Sequence, residues 1–176
     1  MSDKVTTQDT VTGRIGRKYM AHLIDANFGE STPNYSRLGR DLEEYTVELN
    51  PDTETSKNIL GESTFRHNGN ERSADADPFY AIVGDPLFEK LQKFVDEDVT
   101  DDRLKSTTLE IHLWDGSEAE GFVAWSQACY VVPTSYGGDT SGYQIPFTVN
   151  YVGGRTKGIW NPETNTFTPS EGSALS

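Results

Sequence analysis

The chain has 176 residues, with 15 lysines and arginines against 28 aspartates and glutamates, for a formal charge of −13 at pH 7. At about 150 residues per domain this is one domain, and 34% hydrophobic and 11% aromatic residues are enough for a core, which excludes wholesale disorder. The charge excludes a protein that grips DNA by neutralising phosphates, which takes clustered lysine and arginine, and no apolar run approaches the roughly 20 residues of a membrane-spanning helix.

The first 16 residues read as an N-terminal arm with few large apolar side chains, and they lack the apolar region of a secretory signal. Lys4, Arg14, Arg17 and Lys18 outnumber Asp3 and Asp9 across residues 1–18, which leaves +2 there and −15 in the remainder. Residues 17–168 read as the domain proper. Period-two alternation, the mark of a half-buried strand, predicts strands over Arg17–Asp25, Tyr45–Leu49, Thr107–Trp114, Gly121–Val132 and Gln144–Val152. Pro146 cannot donate a ladder hydrogen bond, so the last of these meets an edge or bulge there. A closing hairpin is predicted from Gly158–Trp160 and Thr166–Thr168, turned by Asn161, Pro162 and Glu163. One helix is predicted, with Asp85 as N-cap and Pro86 at the first position. Leu87, Phe88, Leu91, Phe94 and Val95 form its apolar stripe, and it ends by about residue 95 or 96. Long loops are expected at 26–40, 50–63 and 68–84, and residues 169–176 read as a flexible C-terminal tail. The class is mainly β: a β-sandwich or partly closed barrel flanked by one α-helix.

Catalytic chemistry needs a constellation, and the residues supply none. His22 and His112 fall within strands and His67 in polar chain, with no His-x-His or HExxH spacing for a metal. Cys129, the single cysteine, lies in an apolar strand; it has no disulfide or zinc partner, reads as a buried inert thiol and suits a reducing compartment. Glu43–Glu44, Glu118–Glu120 and the run Asp96–Asp102 could be drawn as acid–base pairs, but carboxylates are so many that a solvated acidic surface is the better reading. The acidic run also lacks the glycine and terminal glutamate of an EF-hand. No catalytic, cofactor or metal residue is therefore assigned. Trp114, Trp125 and Trp160 leave open a carbohydrate-binding module.

In order and spacing, the landmarks resemble the tail-tube (major tail) proteins of long-tailed bacteriophages and prophages. The resemblance runs over residues 17–168. It begins with the polar arm and the strand Lys18-Tyr19-Met20-Ala21-His22-Leu23-Ile24-Asp25, and continues through a polar loop and an acidic strand. The stretch Thr55-Ser56-Lys57-Asn58-Ile59-Leu60-Gly61-Glu62-Ser63, the Asn68-Gly69 turn, the single helix and the late strand pair ending in Gly153-Gly154 follow. It departs in the length of 70–84, around Pro78-Phe79-Tyr80. The resemblance implies a virion subunit, assembled in the host cytoplasm, that forms stacked hexameric rings. It implies an acidic lumen through which DNA passes unbound, no membrane partner, and contacts with the tape measure, tail tip and terminator. Candidate lumen-facing residues are Glu48, Glu110, Glu118, Glu120, Gln144, Thr148 and Asn150. Candidate inter-ring contacts are Arg14, Arg17, Lys18, Tyr35, Arg37 and Arg40. The inner tube of a contractile tail or injection machine is the neighbouring alternative.

Overall fold

In the computed structural model, which describes residues 12–174, a short 3-10 turn at Arg17–Tyr19 leads into β1 (Met20–Asp25). There follow β2 (Tyr35–Leu38), β3 (Pro51–Lys57), β4 (Ser63–Asn70), β5 (Ser73–Ala76) and the single helix α1 (Pro86–Asp96). A second 3-10 turn, Asp101–Leu104, opens the long strand β6 (Lys105–Ser117), which hairpins into β7 (Gly121–Pro133). The small pair β8 (Gly137–Asp139) and β9 (Gly142–Gln144) precedes β10 (Phe147–Asn161) and β11 (Thr166–Ala174). The main sheet runs β11-β10-β7-β6-β1-β2, with β5 also paired to β10, and every pairing is antiparallel. It curls into a half-barrel with one helix, the mainly β architecture expected.

The curl follows from where the apolar residues fall. Two cores lie on opposite faces of the one sheet. The inner core gathers Ala21, Leu23, Leu109, Ile111, Leu113, Phe122, Ala124 and Trp160. Tyr35 of β2 reaches across to Trp160 of β10, edge to face with ring centres 5.8 Å apart, so the two sides of the sheet close over this core. The outer core lies under α1, where Leu87, Leu91 and Phe94 cover Ile24, Cys129, Val131, Phe147 and Val149. Strand β7 serves both: beyond Gly121, its buried side chains are Phe122 and Ala124 at one end and Gln127, Cys129 and Val131 at the other. Buried parity therefore switches from even to odd midway, and this is why the stretch is apolar on both faces. The helix is bounded by the signals expected of it. Asp85 accepts a hydrogen bond from the Leu87 N–H at 3.0 Å, Pro86 opens the first turn, and the helix stops at Asp96.

Four expectations change. Residues 17–19 form a 3-10 turn rather than the start of the first strand, and β1 is buried from Ala21 to Asp25 instead of alternating, because both its faces are covered. Tyr45–Leu49 contributes only a single bridge, Glu48 to Ser73, although Tyr45 and Val47 still pack on the outer core. The loops expected at 50–63 and 68–84 contain the β3–β4 hairpin and β5. The tail expected from Pro169 is strand as far as Ala174, since β11 pairs with β10 from Thr166↔Asn161 to Pro169↔Gly158 and, past a bulge, again at Ala174↔Thr156. Residues 1–11 of the arm lie outside the described residues.

Candidate assembly surfaces

The β3–β4 hairpin has no hydrophobic side to bury. Every residue of both strands is exposed except Gly69, which is half-buried. Its turn is held by polar chemistry: the Asn58 Oδ1 accepts from the N–H groups of Leu60 and Glu62, both at 3.0 Å, while the Asn58 Nδ2 donates to the Glu62 carboxylate at 2.6 Å. The apolar residues sit where none of the described residues covers them. Ile59 at the tip is fully exposed, Leu60 beside it is 78% exposed and Phe65 on β4 is 66% exposed.

Four of the six candidate contact residues meet in one place. Arg17, Lys18, Arg37 and Arg40 line a groove of about 520 Å³ with Met20, His22, Leu38, Leu42, Glu43 and Tyr45. The groove exists because the chain doubles back after β2, carrying 39–45 across the start of β1. Arg17 ties the two segments by donating to the carbonyls of Met20 at 2.7 Å and Tyr45 at 2.8 Å. Arg14 is exposed outside the groove, and Tyr35 turns inward to Trp160.

A polar cluster lies beside the groove on the same face of the sheet. His22 on β1 pairs in register with Glu110 on β6, which pairs in turn with Trp125 on β7. The Glu110 Oε1 lies 2.9 Å from the His112 Nε2 and 3.2 Å from the Arg155 Nη2. Arg155 spans the Trp125 ring, 4.9 Å from its centre, and His112 stacks on Trp114 at 4.5 Å. Burial alone would raise the Glu110 carboxyl, but the hydrogen bond to His112 and the charge of Arg155 outweigh it and hold it at about 2. Burial drives His22 down to about 4 against the pull of Glu110, with Arg17 adding to the depression. The two histidines read separately along the chain thus converge on one carboxylate. Among the described residues no three histidine, cysteine, aspartate or glutamate side chains are grouped to hold a metal ion.

Both groups bind fewer protons folded than unfolded. Their stabilisation is complete above their ordinary values of 6.5 and 4.5, and is lost as pH falls through those values towards about 4 for His22 and about 2 for Glu110. Between pH 7 and pH 4.5 the His22 part should lower stability by on the order of 2–3 kcal/mol. Urea titrations at the two pH values check this. His22→Gln should flatten the same interval, and equal slopes in variant and parent would contradict the assignment.

The candidate lumen residues do not share one face. Glu110 lies with Trp125, whereas Thr148 pairs with Val132 and Asn150 with Tyr130, positions of opposite parity on β7. Thr148 is engaged by Asp75 at 2.7 Å. Glu118 and Glu120 both lie in the β6–β7 turn, Glu48 bridges to Ser73 and Gln144 bridges to Tyr80. The thiol of Cys129 is fully buried and burial raises it to about 12. Trp160 is buried, while Trp114 and Trp125 are partly exposed and occupied by His112 and Arg155, so the three tryptophans form no common platform.

No family model matches the sequence, and no curated protein matches it. Among solved structures, the fold is similar to the cap that terminates the tube of the anti-feeding prophage, determined by cryo-electron microscopy. The TM-score is 0.47 at 9% sequence identity, over 87% of this chain and 96% of that one.

Proposed function

We propose that the chain is a structural subunit of a phage-type tail tube, built from stacked hexameric rings around an acidic lumen that conducts the genome. The observation that carries this reading is the β3–β4 hairpin. A two-stranded hairpin is marginal in water by itself, and this one spends Ile59, Leu60 and Phe65 on solvent. Contact with another copy would give those side chains the cover the monomer lacks. The edges of β2 and β11, open among the described residues, support the same reading, because joining copies edge to edge removes strand edges that a monomer must otherwise protect. The net charge of −13 suits a bore that repels phosphates rather than binding them. The ring number, the lumen lining and the partners at the tube ends (tape measure, tip and terminator) come from the sequence resemblance. The inner tube of a contractile tail or injection machine would use the same surfaces.

Negative-stain microscopy of the purified, concentrated protein tests the proposal. Long hollow filaments with a six-fold cross-section are the expected result. Compact single particles at every concentration and salt would remove it.

A further inference from the structure

The cationic groove and the acidic run at 96–102 sit at opposite ends of the sheet. The groove opens at the start of β1, where Met20 pairs with His112 late in β6. The acidic run leads through the turn Asp101–Leu104 into the first residue of β6. That end of β6 is fixed against the far end of β1 by Ser106, whose hydroxyl donates to the Asp25 carbonyl at 2.7 Å.

Each end carries charge that the described residues leave unpaired. In the groove, four cationic side chains face one carboxylate, Glu43, and among the described residues none of the four makes an ion pair. Arg17 is engaged by carbonyls, and Lys18 lies over the Tyr19 ring. At the other end Asp96, Glu97, Asp98, Asp101 and Asp102 are all exposed, with Arg103 and Lys105 the cations among them. Their hydrogen bonds go to neutral partners: Gln92 to Asp96, Thr100 to Asp101 and Tyr130 to Asp102. Near the groove end Asp115 lies late in β6 and Glu118 and Glu120 lie in the β6–β7 turn, but none of them lines the groove.

We infer that the groove of one copy receives the acidic segment 96–102 of a second copy, in a head-to-tail contact. The inference rests on the tube reading and names the surfaces that would stack one ring on the next. A contact between two different patches at opposite ends is heterologous: it repeats along an axis instead of closing on a two-fold dimer. Exposed pairs contribute little singly, but several enclosed together in an interface steer association and set its register.

Two variants test it. Arg37→Ser with Arg40→Ser empties the groove of half its charge. Asp101→Asn with Asp102→Asn neutralises the segment and keeps a residue type that tolerates the positive φ of position 101. Each should raise the concentration needed for assembly by about tenfold and weaken its dependence on salt, with circular dichroism unchanged. Mixed one to one, the groove variant supplies an intact acidic segment and the other an intact groove, so sedimentation velocity should show dimers that stop growing. Wild-type hollow filaments with both variants unchanged would overturn the head-to-tail contact and leave the tube standing. Mixed dimers without any hollow filament from the wild type would leave the contact standing and remove the tube. A wild-type chain that stays monomeric at low salt would overturn both.

Discussion

Replacing Ile59 and Leu60 together by aspartate should abolish self-association while leaving the monomer folded and equally stable. Both side chains are already exposed, so unfolding gains nothing from their removal, and surface changes of this kind stay within about 0.5 kcal/mol. Association is another matter. Burying an aliphatic side chain contributes about 1.5–3 kcal/mol. Losing two raises the assembly threshold on the order of 100- to 10,000-fold even before the cost of burying carboxylates is added. Light scattering against concentration, paired with a urea titration of the dilute protein, separates the two effects. Filaments that form at the parental threshold would show that the hairpin tip is not a contact.

Trp160→Ala should have the largest effect on the monomer, about 3–5 kcal/mol, through the cavity left in the inner core. The side chain is 1% exposed and packs among Leu109, Ile111 and Phe122, with Tyr35 closing over it from the other side of the curl. For a chain of this length that loss corresponds to a fall in melting temperature of roughly 10 °C. Trp160→Phe should cost distinctly less than ring volume alone implies. The indole Nε1–H is buried without a hydrogen-bond partner among the described residues, and phenylalanine removes that unmet donor along with its penalty of about 1–3 kcal/mol. Differential scanning calorimetry of the two variants checks the order. A phenylalanine variant as unstable as the alanine one would mean that the donor is not a burden.

The elements with one apolar face were legible in the sequence. The stripe Leu87, Leu91, Phe94 and the signals Asp85 and Pro86 place the start of the helix and bring its end to within a residue, and alternation locates most of β6 and the first part of β10, whereas β7 stands out as a long run apolar on both faces. The β3–β4 hairpin was not legible, because periodicity reports a buried face and this element has none. Residues 169–174 misled for a related reason: their small and polar composition reads as a tail, although backbone pairing to β10 makes them strand. Of the surfaces, Arg17, Lys18, Arg37 and Arg40 stand out in the sequence together with Arg14 and Tyr35 as candidate contacts, but neither the meeting of these four nor their enclosure by 39–45 can be read from it. The approach of His22 and His112 to Glu110 depends on β1 lying beside β6, a neighbourhood that a single sequence does not spell out.

Because β7 runs without interruption through both cores, load passes from one end of the molecule to the other along a covalent backbone clamped on either side. Close-packed interiors are poorly compressible, and no linker separates the two halves of the sheet to act as a joint. A filament of such subunits would be made of stiff struts, and bending would have to be absorbed where one copy meets the next.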